Sequence, residues 1–181
     1  METIITDLRI ALARDVDTAF PELVRARQHS VYSGVLRIVR NPHDAADITQ
    51  DTFIRAYRAL SGYDPQRIRE LKLEGWLWTI AVNLCRNRGR SRAPVPSEIP
   101  DRADPRTGTE DEALERAGRL VWEDRLAALP APQRTAVVLR HVVGLSYDEI
   151  ASATSRPVGT TKTDVHRGIA RLRKMLEAEA A

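Results

Sequence analysis

At 181 residues the chain has room for one ordinary domain or two small ones, and its apolar share of 43% is that of a soluble globular protein. Twenty-eight Lys and Arg side chains stand against 25 Asp and Glu, a net charge of +3, too small an excess to name a partner by itself. The one cysteine, Cys85, excludes an intrachain disulfide and any cysteine-rich zinc site.

Aromatics are sparse, strand-like alternation is nearly absent, and apolar residues recur at helical spacing almost throughout, so the chain reads as all-α. The first 15 residues carry Asp7, Arg9 and Arg14 between apolar runs too short for a signal-peptide core or a membrane span. From Asp17 to Arg40, Phe20, Val24, Val31, Val35, Ile38 and Val39 mark one face of a long helix. Pro21 fits only near a first turn, so that helix is expected to start close to Thr18. "NPHD" then supplies Asn41 as a cap, Pro42 for the first helical position and Asp44 where a capping-box acid stands. The helix it opens runs to about Leu60, with Ala45, Ile48, Thr52, Ala56 and Leu60 inward and Asp47, Asp51, Arg55 and Arg58 outward.

Residues 65–74, "PQRIRELKLE", fit a polar loop or a frayed turn. In "GWLWTIAVNLCRNRGRSR", Trp76, Leu77, Ile80, Ala81 and Leu84 form an apolar stripe, while Thr79, Asn83, Arg86 and Arg90 share another face with Asn87 beside them. That polar face suits a nucleic-acid strand and equally suits plain solvent. Trp76 and Trp78 fit base stacking or the core, and the core is favoured for Trp76.

Residues 93–111 break the pattern with four prolines and dense charge, and read as a flexible linker between a domain at 1–92 and another at 112–181. Charge follows the same division. Residues 1–92 hold 15 basic and 11 acidic side chains, 93–118 hold three and seven, and 119–181 hold ten and seven. Two basic segments around an acidic one suit two nucleic-acid-facing modules and a solvated connector.

Helix is expected again at 112–129, then from Pro132 to Val143 with Gly144 as its stop. Ser146 and Glu149 form a capping box for a short helix. After a tight break, a basic helix opens near Pro157, with Val158, Thr161, Val165, Ile169, Leu172 and Leu176 as its inner stripe. This is a helix-turn-helix pattern. Lys162, Thr163, His166 and Arg167 lie near the end of the second helix that enters a major groove, where Arg and Lys read guanine edges. Arg156, Arg171, Arg173 and Lys174 suit phosphates. The bland alternative is a solvated basic helix in an ordinary bundle.

Catalytic signatures do not appear. His29, His43, His141 and His166 are scattered, and there is no H-E-x-x-H, P-loop, dinucleotide turn or G-x-S-x-G. Neither an enzyme nor a cofactor is expected.

Taken in order, three stretches resemble a bacterial sigma factor of the extracytoplasmic-function group of the sigma-70 family. "NPHDAADITQDTFIRAYRAL" resembles region 2.2, "WLWTIAVNLCRNRGR" the end of region 2, and "LAALPAPQRTAVVLRHVVGLSYDEIA" with "PVGTTKTDVHRGIARLRKML" region 4. The resemblance runs from about Ala19 to Leu176 and implies two small helical domains joined by a flexible linker. It implies that Asp47, Gln50, Asp51 and Arg55 contact the β′ clamp of core RNA polymerase. Asn83, Arg86, Asn87 and Arg90 would face the melted minus-10 strand, and the 66–74 loop would hold an extruded base. Lys162, Thr163, His166, Arg167 and Arg171 would face the minus-35 element, and the polymerase contact would include the β flap. The implied partners are therefore core polymerase, promoter DNA and an anti-sigma factor, in the cytoplasm and without a membrane. The sequence departs from the family at Asp164, where Arg is usual, in "ATSRPVG", which lacks the usual Leu-Gly, and in the 66–74 loop, which lacks the common Phe-Arg-Gly start. Asp164 is expected either to read cytosine or to weaken minus-35 binding. A helix-turn-helix regulator acting without polymerase, and a helical decoy that binds a protein but starts no transcript, are the competing readings.

Overall fold

Residues 2–91 and 122–179 are described by the computed structural model, with side chains for 8–89 and 122–179. Among them every element is helical. The expected linker at 93–111 and most of the helix expected at 112–129 lie outside the described residues.

Helix α1 (Glu2–Arg14) was not foreseen as an element. Leu8 and Leu12, one turn apart, are buried with Ala13, and the helix packs on α2 and α4. Helix α2 (Val16–Val39) begins two residues before Thr18, because Asp15 is its cap. The Asp15 carboxylate accepts from the N–H of Asp17 at 3.0 Å and of Thr18 at 3.3 Å. Pro21 therefore falls in the second turn, where its missing N–H leaves the Asp17 carbonyl without that helical bond. Helix α3 (Pro42–Ser61) is capped by Asn41, whose Oδ1 accepts the Asp44 N–H at 2.9 Å. Its five inward positions are all buried, and the buried Thr52 hydroxyl donates to the Ile48 carbonyl at 2.6 Å.

Residues 65–70 are neither loop nor fray. They form helix α4 (Pro65–Glu70), capped by Asp64, with Pro65 at its first position. Six residues present a single inward side chain, Ile68 at 2% exposure, too little for periodicity to reveal. Helix α5 (Leu73–Ser91) buries Leu73, Leu77, Trp78, Ala81, Val82, Leu84 and Cys85. Trp78, not Trp76, is the core tryptophan. Its indole lies against Gly34 of α2, where a Cβ would stand 2.4 Å from Cη2. Trp76 is half-buried beside the Tyr63 ring, centroids 6.1 Å apart.

The second unit starts with the helical stretch 122–127, followed by α6 (Ala131–Val137). What reads as one helix to Val143 widens into a π-helical turn at Val138–Val143, closed by Gly144 at φ 91°. Helix α7 (Tyr147–Thr154) has its capping box: Ser146 Oγ accepts the Glu149 N–H at 3.3 Å, and Glu149 accepts the Ser146 N–H at 2.9 Å. Ser155 takes the left-handed conformation, φ 53°, between α7 and α8 (Val158–Glu179). In α8, Thr161, Val165, Gly168 and Leu172 are buried and Ile169 is partly so. Leu176, the last residue of the expected stripe, is 43% exposed, while Met175 beside it packs on the core.

The two units share one hydrophobic cluster. α5 packs along α7, and α2 against α6 and the π turn. Arginines tie the seam. Arg86 Nη1 donates to the Thr154 carbonyl at 3.2 Å, Arg134 Nε to the Ile38 carbonyl at 3.2 Å, and Arg37 lies 3.7 Å from the Glu123 carboxylate. Gly75 meets Glu149 across the seam, a Cβ there falling 2.9 Å from Glu149 Cγ.

Candidate nucleic-acid interface and docking surface

The α8 face is built by opposition. At 100° per residue the buried Thr161, Val165, Gly168 and Leu172 define one side of the helix, and Thr163, His166 and Arg167 point away from it. Lys162 and Arg171 flank them. All five are exposed, so the residues expected to face a major groove stand together on one open surface. The Thr163 hydroxyl donates to the Gly159 carbonyl at 2.9 Å, which fixes its rotamer and leaves lone pairs outward. Lys162 Nζ lies 5.7 Å from the Tyr147 ring centroid, and the Arg140 guanidinium 4.9 Å from the same ring. Asp164 does not join the open face. Its carboxylate is 3.0 Å from Arg156 Nη2 and its side chain only 13% exposed.

On α5, Asn83, Arg86 and Asn87 are exposed on one face, while the Arg90 side chain lies outside those described. Arg86 is tied to α7 through Thr154. The neighbouring Arg88 turns the other way, 3.1 Å from the buried Asp44 carboxylate and 2.6 Å from Asp47. Beside this face the stretch expected to be a base-holding loop is helix α4 with a short connection. Its Arg67 guanidinium lies 3.7 Å over the Tyr63 ring, and Tyr63 meets Trp76. This cationic and aromatic cluster was missed, because Tyr63 stood in a turn and Arg67 in a polar stretch.

On α3, Asp47, Gln50, Asp51 and Arg55 are all exposed on one side, with Asp47 already paired to Arg88. Next to them lies a feature the outward charges concealed. A groove of about 1050 Å³ between α2 and α3 is lined by Phe20, Val24, Tyr32, Phe53, Ile54 and Tyr57, with Gln50 at its edge. Phe20 meets Phe53 and Tyr57 edge-on at 6.4 and 5.2 Å, and the Tyr57 hydroxyl donates to Asp17 at 2.7 Å. Ile54 and Tyr57 are each 39% exposed. Large apolar side chains open to solvent beside a charged ridge suit a partner helix. The sequence signal was available: two large apolar residues lie outside the inward stripe of α3.

Burial pushes the Cys85 thiol up to about 12, so it supplies no thiolate at neutral pH. No described helix is long and apolar enough to cross a membrane.

Residues 23–94 match the family model of sigma-70 region 2, and residues 119–172 that of sigma-70 region 4. The chain is 38% identical over 164 residues to the ECF RNA polymerase sigma factor SigE of Mycolicibacterium smegmatis, covering 87% of this chain and 62% of that protein's length. It is 33% identical over 159 residues to the RNA polymerase sigma-E factor of Streptomyces avermitilis, covering 88% and 86% of the two chains. Against the ECF RNA polymerase sigma factor SigW of Bacillus subtilis it is 33% identical over 177 residues, covering 87% and 89%. Among solved structures, CnrH in complex with the cytosolic domain of CnrY superposes with a TM-score of 0.69 at 24% identity, over 96% of this chain and 97% of that one. RpoE of Bartonella quintana, solved with the anti-sigma factor NepR, gives 0.69 at 21% identity, over 87% and 96%. These two likenesses speak for the fold. Two region matches in the expected order, with relatives above 30% identity along most of their length, establish that the chain belongs to the sigma-70 family, as an RNA polymerase sigma factor of the extracytoplasmic-function group.

Proposed function

We propose that the first domain docks on the β′ clamp of core RNA polymerase through Asp47, Gln50, Asp51 and Arg55, and that the α2–α3 groove takes the apolar part of that contact. Asn83, Arg86, Asn87 and Arg90 hold the melted minus-10 strand, and the Tyr63, Arg67 and Trp76 cluster offers a stacking surface for an extruded base. Lys162, Thr163, His166 and Arg167 read the minus-35 major groove, Arg171 takes a phosphate, and the second domain sits on the β flap. The protein acts in the cytoplasm, directs polymerase to promoters and helps open them, making no bonds itself. The domains proposed for these roles are 1–92 and 112–181, around a linker at 93–111. An anti-sigma factor, the kind of partner carried by the Bartonella relative, competes for the same groove.

One observation carries this reading: Thr163, His166 and Arg167 stand opposite the buried stripe of α8 with Lys162 and Arg171 flanking them, on the second helix of a helix-turn-helix in a chain of this family. Arg86 gives one donor, Nη1, to the Thr154 carbonyl across the seam, and its remaining donors stay exposed beside Asn83 and Asn87. The test is co-elution with bacterial core polymerase, followed by run-off transcription. Wild type co-elutes and starts transcripts; Asp51→Arg, with its helical content intact by circular dichroism, loses both. Co-elution of both proteins alike would move the docking surface elsewhere, and co-elution of neither would remove the polymerase reading.

A further inference from the structure

Asp164 stands in the second helix of the helix-turn-helix, where an acid faces a polyanion. Its geometry removes it from base reading. At 100° per residue it lies about 110° round the helix from the centre of the Thr163, His166 and Arg167 face. Its carboxylate turns back to Arg156 in the turn that precedes the helix, Oδ2 to Nη2 at 3.0 Å, with 13% of the Asp164 side chain exposed against 37% of Arg156.

Arg156 is held at both ends. Its N–H donates to the Ala151 carbonyl at 3.0 Å, which closes α7 after the left-handed Ser155. Pro157 follows and opens α8, where Thr161 returns its N–H to the Pro157 carbonyl at 3.0 Å. The backbone at Arg156 is thus fixed by the turn and its side chain by Asp164. A guanidinium carries five donors in a planar fork, so one edge can rest on the carboxylate while the other stays open to an oxygen anion. An unpaired arginine must give up much of its rotamer freedom to bind a phosphate; one already oriented gives up less. The turn between the helix that crosses the backbone and the helix that enters the groove lies beside the strand at the groove's edge.

We infer that Asp164 is a positioning residue: it holds Arg156 ready for a backbone phosphate next to the minus-35 element, and neither reads a base nor merely repels DNA. The inference rests on the second domain being the minus-35 reader. It has an uncommon sign. Removing the acid makes the protein more positive, which by bulk electrostatics tightens DNA binding. Loss of positioning weakens it.

The test uses holoenzyme assembled from the full chain and bacterial core polymerase. Wild type, Asp164→Asn, Arg156→Ala and the double variant each select from promoter duplexes randomised over the minus-35 region. Affinity for the selected duplex is then followed from about 50 to 200 mM salt. Asp164→Asn is expected to keep the base preferences and to bind roughly threefold more weakly despite its added positive charge. Arg156→Ala is expected to keep the preferences and to lower the salt slope by about one. The double variant is expected to bind as tightly as Arg156→Ala or slightly more so, because without Arg156 only the bulk repulsion of the acid is left to remove. Equal or tighter binding by Asp164→Asn overturns the inference. So does a changed preference at one base pair, or a further loss when Asp164→Asn is added to Arg156→Ala. Should wild type select a motif while these signs are wrong, only the positioning role falls; should it select none, the minus-35 reading falls and takes this role with it.

Discussion

Helices α5 and α8 are both assigned to DNA, and they are built to opposite plans. α8 is buried along one side, against α6 and α7, and its polar face is open. α5 is packed on two sides, by α2 and α3 and by α7, and one of its polar side chains, Arg86, is already engaged across the seam. A helix with one buried side writes its function onto the remaining face. A helix with two buried sides divides its surface among packing, a domain contact and a ligand, so its residue pattern serves three masters at once. The difference is also one of engagement: among the described residues the polar face of α8 carries no contact to the other unit, whereas Arg86 on α5 already gives one donor to the Thr154 carbonyl across the seam.

The largest expected effect tests how deeply α5 is buried. Trp78→Ala removes a 1%-exposed indole from the junction with Gly34 and is expected to cost about 3–5 kcal/mol in urea unfolding. Trp76→Ala, at a half-buried ring against Tyr63, is expected to cost under about half of that. Similar losses at the two positions would mean that the tryptophans share the core. Next comes α8. Arg167→Ala is expected to cost about 1–3 kcal/mol of discrimination at one minus-35 position while leaving stability near wild type, because the side chain is exposed. A promoter profile unchanged at every position would take Arg167 out of the reading set.

That contrast explains what the amino-acid pattern did and did not disclose. The inward and outward faces of α3 and the basic face of α8 were legible because each helix has a single buried stripe. The capping box at Ser146 and the Asn41–Pro42 start of α3 were legible because cap chemistry is local. The core was favoured for Trp76 and left open for Trp78, whereas Trp78 is the buried one, because two-sided burial blurs the stripe that separates in from out. α4 was missed because one inward Ile68 makes no period, and α1 because its apolar residues were weighed as a membrane signal rather than as a face. The π turn after Val137 depends on how the Leu139 carbonyl is shared: Gly144 and Leu145 both donate to it, the latter at 2.9 Å, and no residue type announces that. The α2–α3 groove needs two helices brought together, and Asp164 needs the turn that returns Arg156 to it.

A smaller effect is chemical. Cys85 is buried and its thiol is pushed up to about 12, so the native protein is expected to react with a thiol reagent at mildly alkaline pH far more slowly than the urea-unfolded chain. Equal rates would place Cys85 at the surface and undo the packing described for α5.

The smallest effect lies in the seam itself. Glu74 opens α5 next to Gly75, its carboxylate 3.3 Å from Arg27 of α2 and facing Glu149 of α7. Burial raises its pKa first, the Glu149 charge adds to the rise, and Arg27 opposes it. A carboxyl whose pKa is higher folded than unfolded binds its proton more tightly in the folded state. The stabilising share from Glu74 is therefore fully present below the ordinary carboxylate pKa and lost as pH rises through the folded value. At neutral pH the charged group is a net burden on the seam. Glu74→Gln, which keeps an oxygen for Arg27, is expected to melt roughly one to three degrees above wild type near neutral pH. The two melting curves should converge toward mild acid, where the wild-type carboxyl is itself protonated. A lower melting temperature for Glu74→Gln at neutral pH would mean that the Arg27 pair outweighs burial and Glu149, and that the seam is held by this ion pair rather than in spite of a charge.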